Sequence, residues 1–160
     1  MKTLLVVYHS ATGGTRQMAE AAANAASEID VRLRPARDTA PDDVLNADGY
    51  IFASPENLAA LAGVMKDFFD RSYYAALDRL NGRPYATLIC AGSDGESAAR
   101  QIARIATGWR LKPVAPPLIV RTHAQTPAEI LAPKTIGAND LRRCAEIGAT
   151  LAAGLAAGIF

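Results

Sequence analysis

The stretch "YHSATGGTRQMAEA", Tyr8 to Ala21, decides how the rest of the chain is read. It follows an apolar run, Leu4–Val7, gathers hydroxyl residues and two glycines into a few positions, and then passes into strong helix formers. The pattern predicts a buried strand, a tight polar turn and a helix. A helix that begins near Gly14 leaves its first amides without intrahelical acceptors and carries about half a positive charge at that end. Ser10, Thr12 and Thr15 add hydroxyls, while Gly13 and Gly14 let the backbone curl closely around a tetrahedral group. Phosphate suits such a turn better than other small anions. No lysine precedes a closing Ser or Thr, which excludes the loop that cradles nucleoside triphosphates, and the G-x-G-x-x-G of dinucleotide folds is missing. The same residues also fit a plainer reading, in which Ser10 and Thr12 only cap the helix.

Outward from this turn, short aliphatic or β-branched runs alternate with helical patterns. Strands are expected near 2–8, 30–34, 48–53, 84–90 and 113–120. Helices are expected near 14–27, 59–77, 95–108 and 138–157, with a weak one at 41–46. Alternation of this kind is the mark of an α/β protein with a doubly wound parallel sheet, and the length, residues 1–160, suits one domain. Ligands of such sheets lie beyond the carboxyl ends of the strands, where strand order reverses. The segments that follow strands 1, 3 and 4 are "HSATGGT", "SPENLA" and "AGSDGES", all small and polar. Pro55 stiffens the second, Glu56 and Asn57 bring donors and acceptors to it, and the glycines of the third allow close approach to a flat ligand. The stretch "RTHAQTPAEILAPKTIGAND" reads as a long surface connection before the last helix.

Composition narrows the function classes. With 17 basic and 16 acidic residues the net charge is +1, too balanced to draw in nucleic acid or an anionic membrane. The opening apolar run is too short for a secretion signal, and "IGATLAAGLAAGIF" falls short of the ~20 residues a spanning helix needs, so a cytoplasmic location is expected. Cys90 and Cys144 lack metal-ligand spacing and read as reduced structural thiols. His9 and His123 have no ligating neighbours, and Asp67, Asp70 and Arg71 read as a charged helix face. No metal site and no catalytic side chain is expected.

At the three loops the chain resembles the flavodoxin-like superfamily of FMN-binding proteins. "SATGGT" is similar to its S/T-x-T-G-x-T phosphate loop, and "SPEN" followed by "GVMKDFFDR" resembles the P…K-x-F-x-D-R stretch of NAD(P)H-dependent FMN and quinone reductases. The resemblance implies a five-stranded sheet of order 2-1-3-4-5 with helices on both faces. It implies FMN as cofactor, its phosphate held by Ser10, Ala11, Thr12, Gly13, Gly14 and Thr15. Ser54, Pro55, Glu56, Asn57 and Leu58 would line the ring's edge, with Gly92, Ser93, Asp94 and Gly95 on its pyrimidine side. Arg16 is a candidate for an added charge at the phosphate, although it could equally face water.

Two functions follow from the resemblance. One is an oxidoreductase that takes a hydride from NAD(P)H as co-substrate and passes electrons to a quinone or similar small acceptor; the alternative is a flavodoxin-type electron carrier. Carriers are generally strongly acidic, cover the ring with aromatics from the second and third loops, and rely on a peptide that turns over at a small residue near the ring. This chain is balanced in charge, has no Phe, Tyr or Trp in "SPENLAAL" or "AGSDGES", and has no glycine in the second loop before Gly63. The enzyme is therefore expected, as a homo-oligomer (dimer or tetramer) like its resembled relatives.

Overall fold

Residues Leu4–Val7 have no exposed surface, and the strand they form, β1 (Thr3–Tyr8), has a neighbour on each side. The computed structural model describes residues 1–160. From β1 the chain turns into α1 (Gly14–Ala25), crosses to β2 (Asp30–Pro35), makes a 3-10 turn at Ala36–Asp38 and a short α2 (Pro41–Leu45), and returns as β3 (Gly49–Asn57). A hairpin adds β4 (Ala60–Leu61) antiparallel to the end of β3. Then follow α3 (Gly63–Ala76), β5 (Pro84–Ala91), α4 (Glu96–Gly108), β6 (Lys112–Pro113), β7 (Leu118–Arg121), α5 (Pro127–Leu131) and α6 (Ala138–Ala157).

The sheet runs β2-β1-β3-β5 in parallel, and both β6 and β7 pair with the outer side of β5. The order is that of the expected five-stranded sheet with two differences. First, the expected strand at 113–120 is split, because Pro116 and Pro117 have no N–H to give a ladder, and pairing stops between Pro113 and Leu118. Second, β3 runs to Asn57, so the second loop is partly strand, and the helix expected from 59 begins only at Gly63.

Side chains alternate across the sheet into two cores. Leu5, Val7, Phe52 and Ile89 face α3 and α4, where Phe52, Phe69 and Trp109 meet at ring centroids 5.1 to 6.4 Å apart. Leu4, Val6, Ile51 and Leu88 face α1 and α6. Burying both faces is what gives the central strands their unbroken apolar runs. Helices α1 and α6 touch at backbone distance, since a Cβ on Gly148 would run into the Ala22 carbonyl. The charged residues of α3 pair locally, Lys66 with Asp70 at 2.6 Å and Asp67 with Arg71 at 2.8 Å. Arg71 also donates to the carbonyls of Thr39 and Ala36, tying α3 to the crossover behind β2.

Candidate functional site

Because β2 and β3 lie on opposite sides of β1, the chain leaves β1 in one direction and returns in the other, opening a crevice at the carboxyl ends. A cleft of about 560 Å³ occupies that place. Its walls are Ser10, Ala11, Thr12, Gly14 and Thr15 from the first loop, Pro55, Glu56, Asn57 and Leu58 from the second, and Gly92 and Ser93 from the third. The three segments singled out in the sequence thus meet in one cavity.

Within the first loop the work is divided. Gly13, at φ 95°, is the N-cap of α1 and turns the chain into the helix. The Ser10 hydroxyl accepts from the amides of Gly13 (3.1 Å) and Arg16 (3.2 Å), so the capping reading holds for Ser10. The amides of Thr12, Gly14 and Thr15 donate to no protein acceptor, and all three residues face the cleft. An array of free N–H groups at a helix start is a ready anion cradle. Gly14 is tightly enclosed: a Cβ there would sit 2.8 Å from the Cys90 sulfur and 3.4 Å from the Lys134 Cβ. Arg16 is not among the residues of the cleft wall and pairs with Glu20 at 2.8 Å on the solvent side.

Four of the expected site residues stand off the cleft wall. Gly13 gives its amide to Ser10. Ser54 is wholly buried behind the wall, where its hydroxyl accepts from the Ala62 amide and donates to the Pro55 carbonyl. Asp94 is exposed and accepts from the Glu96 amide. Gly95 is the left-handed N-cap of α4 (φ 93°) and donates to Glu56. Glu56 itself lines the cleft, and its carboxylate takes the amides of Gly95 (2.9 Å) and Ala98 (3.1 Å) and so caps α4. Its charge is directed to that helix end.

The second loop ends in a two-residue hairpin turn whose central residues, Leu58 (φ 50°) and Ala59 (φ 63°), are both left-handed. That turn shape normally calls for Asn or Gly. Leu58 is fully exposed at the cleft mouth.

The connection after β7, read from sequence as mere surface, closes the remaining side with Thr122, Ala124, Gln125, Ile130, Leu131 and Lys134. It is bound to the first loop by the Lys134 amide, which donates to the Thr12 carbonyl (2.9 Å), and by Gln17. The Gln17 amide nitrogen donates to the carbonyls of Gly13 and Lys134, and its oxygen accepts from the Ile136 amide. The length of the connection was the available signal, since long ordered loops tend to carry function.

Cys90, at the end of β5, is a further lining residue that sequence reasoning left as structural. Burial pushes its thiol up, against the nearby charge of Lys134 and the Thr15 hydroxyl. Cys144 is driven further, to about 12, chiefly by burial. Both thiols are free and protonated at neutral pH. His9 has its basicity lowered by burial and then by the charge of Arg37. No helix is long and apolar enough to cross a membrane.

The sequence model of the NADPH-dependent FMN reductase family matches residues 35–125, which carry the second and third loops. A flavodoxin of Aquifex aeolicus is 40% identical over 73 residues, 44% of this chain and 40% of its own length. An NAD(P)H dehydrogenase (quinone) of Acidithiobacillus ferrooxidans is 35% identical over 95 residues, 45% of this chain and 48% of its own. The chain thus spans less than half the length of each of these curated relatives. A solved flavodoxin from the domain Archaea superposes with a TM-score of 0.78 at 22% identity, covering 96% of this chain and 98% of that one, and shares the flavodoxin-like fold. With more than half of its residues matched by the family's sequence model, the chain belongs to the NADPH-dependent FMN reductase family.

Proposed function

We propose that the cleft holds FMN and that the loaded protein is an oxidoreductase, taking a hydride from NAD(P)H and passing electrons to a quinone or a similar small acceptor. The observation that carries the reading is the row of unpartnered amides at Thr12, Gly14 and Thr15, opening on a cleft walled by the carboxyl ends of β1, β3 and β5. A phosphomonoester fits these donors, with the Thr12 and Thr15 hydroxyls beside them. FMN supplies the redox chemistry when bound; the protein supplies binding, orientation and electrostatics. Pro55, Asn57 and Leu58 would border the ring on one side, with Gly92 and Ser93 on the other. The Ser93 amide, free of protein acceptors, would face the side of the ring where negative charge develops. The Gly95 amide, held by Glu56, would not.

Two observations favour the enzyme over the carrier. No Phe, Tyr or Trp lines the cleft, so no aromatic side chain stands where a nicotinamide would stack. The turn at Leu58–Ala59 also resists the peptide inversion on which flavodoxin-type one-electron chemistry relies. Inverting the peptide between them would leave Leu58 in a conformation that only glycine occupies readily.

The test has two stages. FMN titrated into the protein should develop a bound-flavin spectrum, and Thr12→Ala with Thr15→Ala should weaken FMN far more than riboflavin. A protein that gains no flavin signal sinks the reading. Anaerobic mixing of the loaded protein with NADPH or NADH should then bleach the flavin band within seconds. A band unchanged over minutes but reducible by chemical titration one electron at a time would favour the carrier.

A further inference from the structure

Only two charged side chains line the cleft, Glu56 and Lys134, and the carboxylate of Glu56 is committed to α4. The phosphate end of the cavity therefore holds a cation and no anion. The Lys134 ammonium lies 3.4 Å from the Thr12 hydroxyl and donates to the carbonyls of Ile130 (2.8 Å) and Ala132 (2.6 Å), with no carboxylate among its partners. It thus stands beside the amino end of α1, which is itself positive. A cation placed there faces a like-signed partial charge unless an anion lies between them. The placement is also costly to maintain by chance. The backbone of Lys134 is fixed at both of its polar groups, its amide on the Thr12 carbonyl and its carbonyl on the Gln17 side chain.

We propose that Lys134 is the residue by which this protein selects a phosphorylated flavin: its ammonium neutralises the phosphate dianion that the amides of Thr12, Gly14 and Thr15 cradle. Gln17 acts as a positioning residue that holds the Lys134 segment against the loop. The inference rests on the FMN reading above and adds the electrostatic partner that Arg16, turned to Glu20, does not provide. Lysine serves here as a point charge, so its contribution should follow the charge of the phosphate rather than the shape of the ring.

The test measures dissociation constants of FMN and riboflavin for the wild type, Lys134→Met and Lys134→Arg by flavin fluorescence, at pH 5 and pH 7.5. These two values bracket the second phosphate ionisation near ~6. Lys134→Met should weaken FMN roughly 10- to 100-fold at pH 7.5, the range expected for a lost charge-assisted hydrogen bond, while riboflavin changes by less than about threefold. FMN binding should strengthen from pH 5 to pH 7.5 in the wild type and in Lys134→Arg, and much less in Lys134→Met; a wild type whose FMN affinity does not change between the two values would overturn the inference. Equal losses for both flavins would overturn the inference and leave Lys134 a strut of the cleft wall, as would an FMN affinity unchanged in Lys134→Met. A wild type that binds neither flavin would overturn the FMN reading itself.

Discussion

The carboxylate of Glu56, at the end of β3, accepts the amides of Gly95 (2.9 Å) and Ala98 (3.1 Å) and so joins the second loop to the first turn of α4. One side chain thereby fixes the spacing of two cleft walls. Glu56→Ala should cost about 1–2 kcal/mol, as loss of a helix cap does, whereas Glu56→Gln should retain part of the stabilisation. Urea denaturation of the two variants measures the difference. Equal stability of Glu56→Ala and the wild type would refute the capping role.

Gly148 governs how closely α6 approaches α1. Its missing side chain is where the Ala22 carbonyl sits, and a backbone atom cannot rotate aside. Gly148→Ala should destabilise the fold by about 2–3 kcal/mol. Because the first cleft loop leads into the amino end of α1, the same variant should weaken FMN more than a substitution at the half-buried Glu20, and flavin titration reads that difference.

The turn at Leu58–Ala59 stores strain, since each left-handed residue other than glycine costs about 1 kcal/mol. Leu58→Gly should raise stability by roughly 0.5–1 kcal/mol, with relief of strain outweighing the entropy that glycine adds to the unfolded chain. Loss of stability in thermal melts would show that the Leu58 side chain holds the hairpin in place.

His9 ties stability to pH. Burial, then the charge of Arg37, lowers its folded-state affinity for a proton below the ordinary value of 6.5. Between the folded value and 6.5 the unfolded chain binds more protons, so unfolding free energy rises with pH across that window. The contribution is complete above 6.5 and falls away as pH drops through the folded value. Denaturation midpoints between pH 5 and 7.5 should therefore show a steeper acid-side fall in the wild type than in His9→Gln.

Much of this architecture was legible because local chemistry and global position agree. The run Leu4–Val7, the glycines at 13 and 14, and the helix formers after them each specify part of the strand-turn-helix unit, and the structure contains it at those positions. The last helix, expected at 138–157, spans Ala138–Ala157. What sequence could not supply was direction and reach. Glu56 was assigned to a ligand because it follows a strand, but nothing local says that its carboxylate turns toward α4. Lys134 meets Thr12 across 122 positions, through a connection whose polar composition resembles any surface loop. The break at Pro116–Pro117 was visible in the residues, yet the aliphatic residues around it read as one strand.

That break leaves the outer margin of the sheet with two short stubs in place of a continuous row of donors and acceptors. The opposite margin, β2, carries Arg32 and Arg34, each at least 40% exposed. Prolines on one side and charged side chains on the other blunt both margins against pairing with a stray strand.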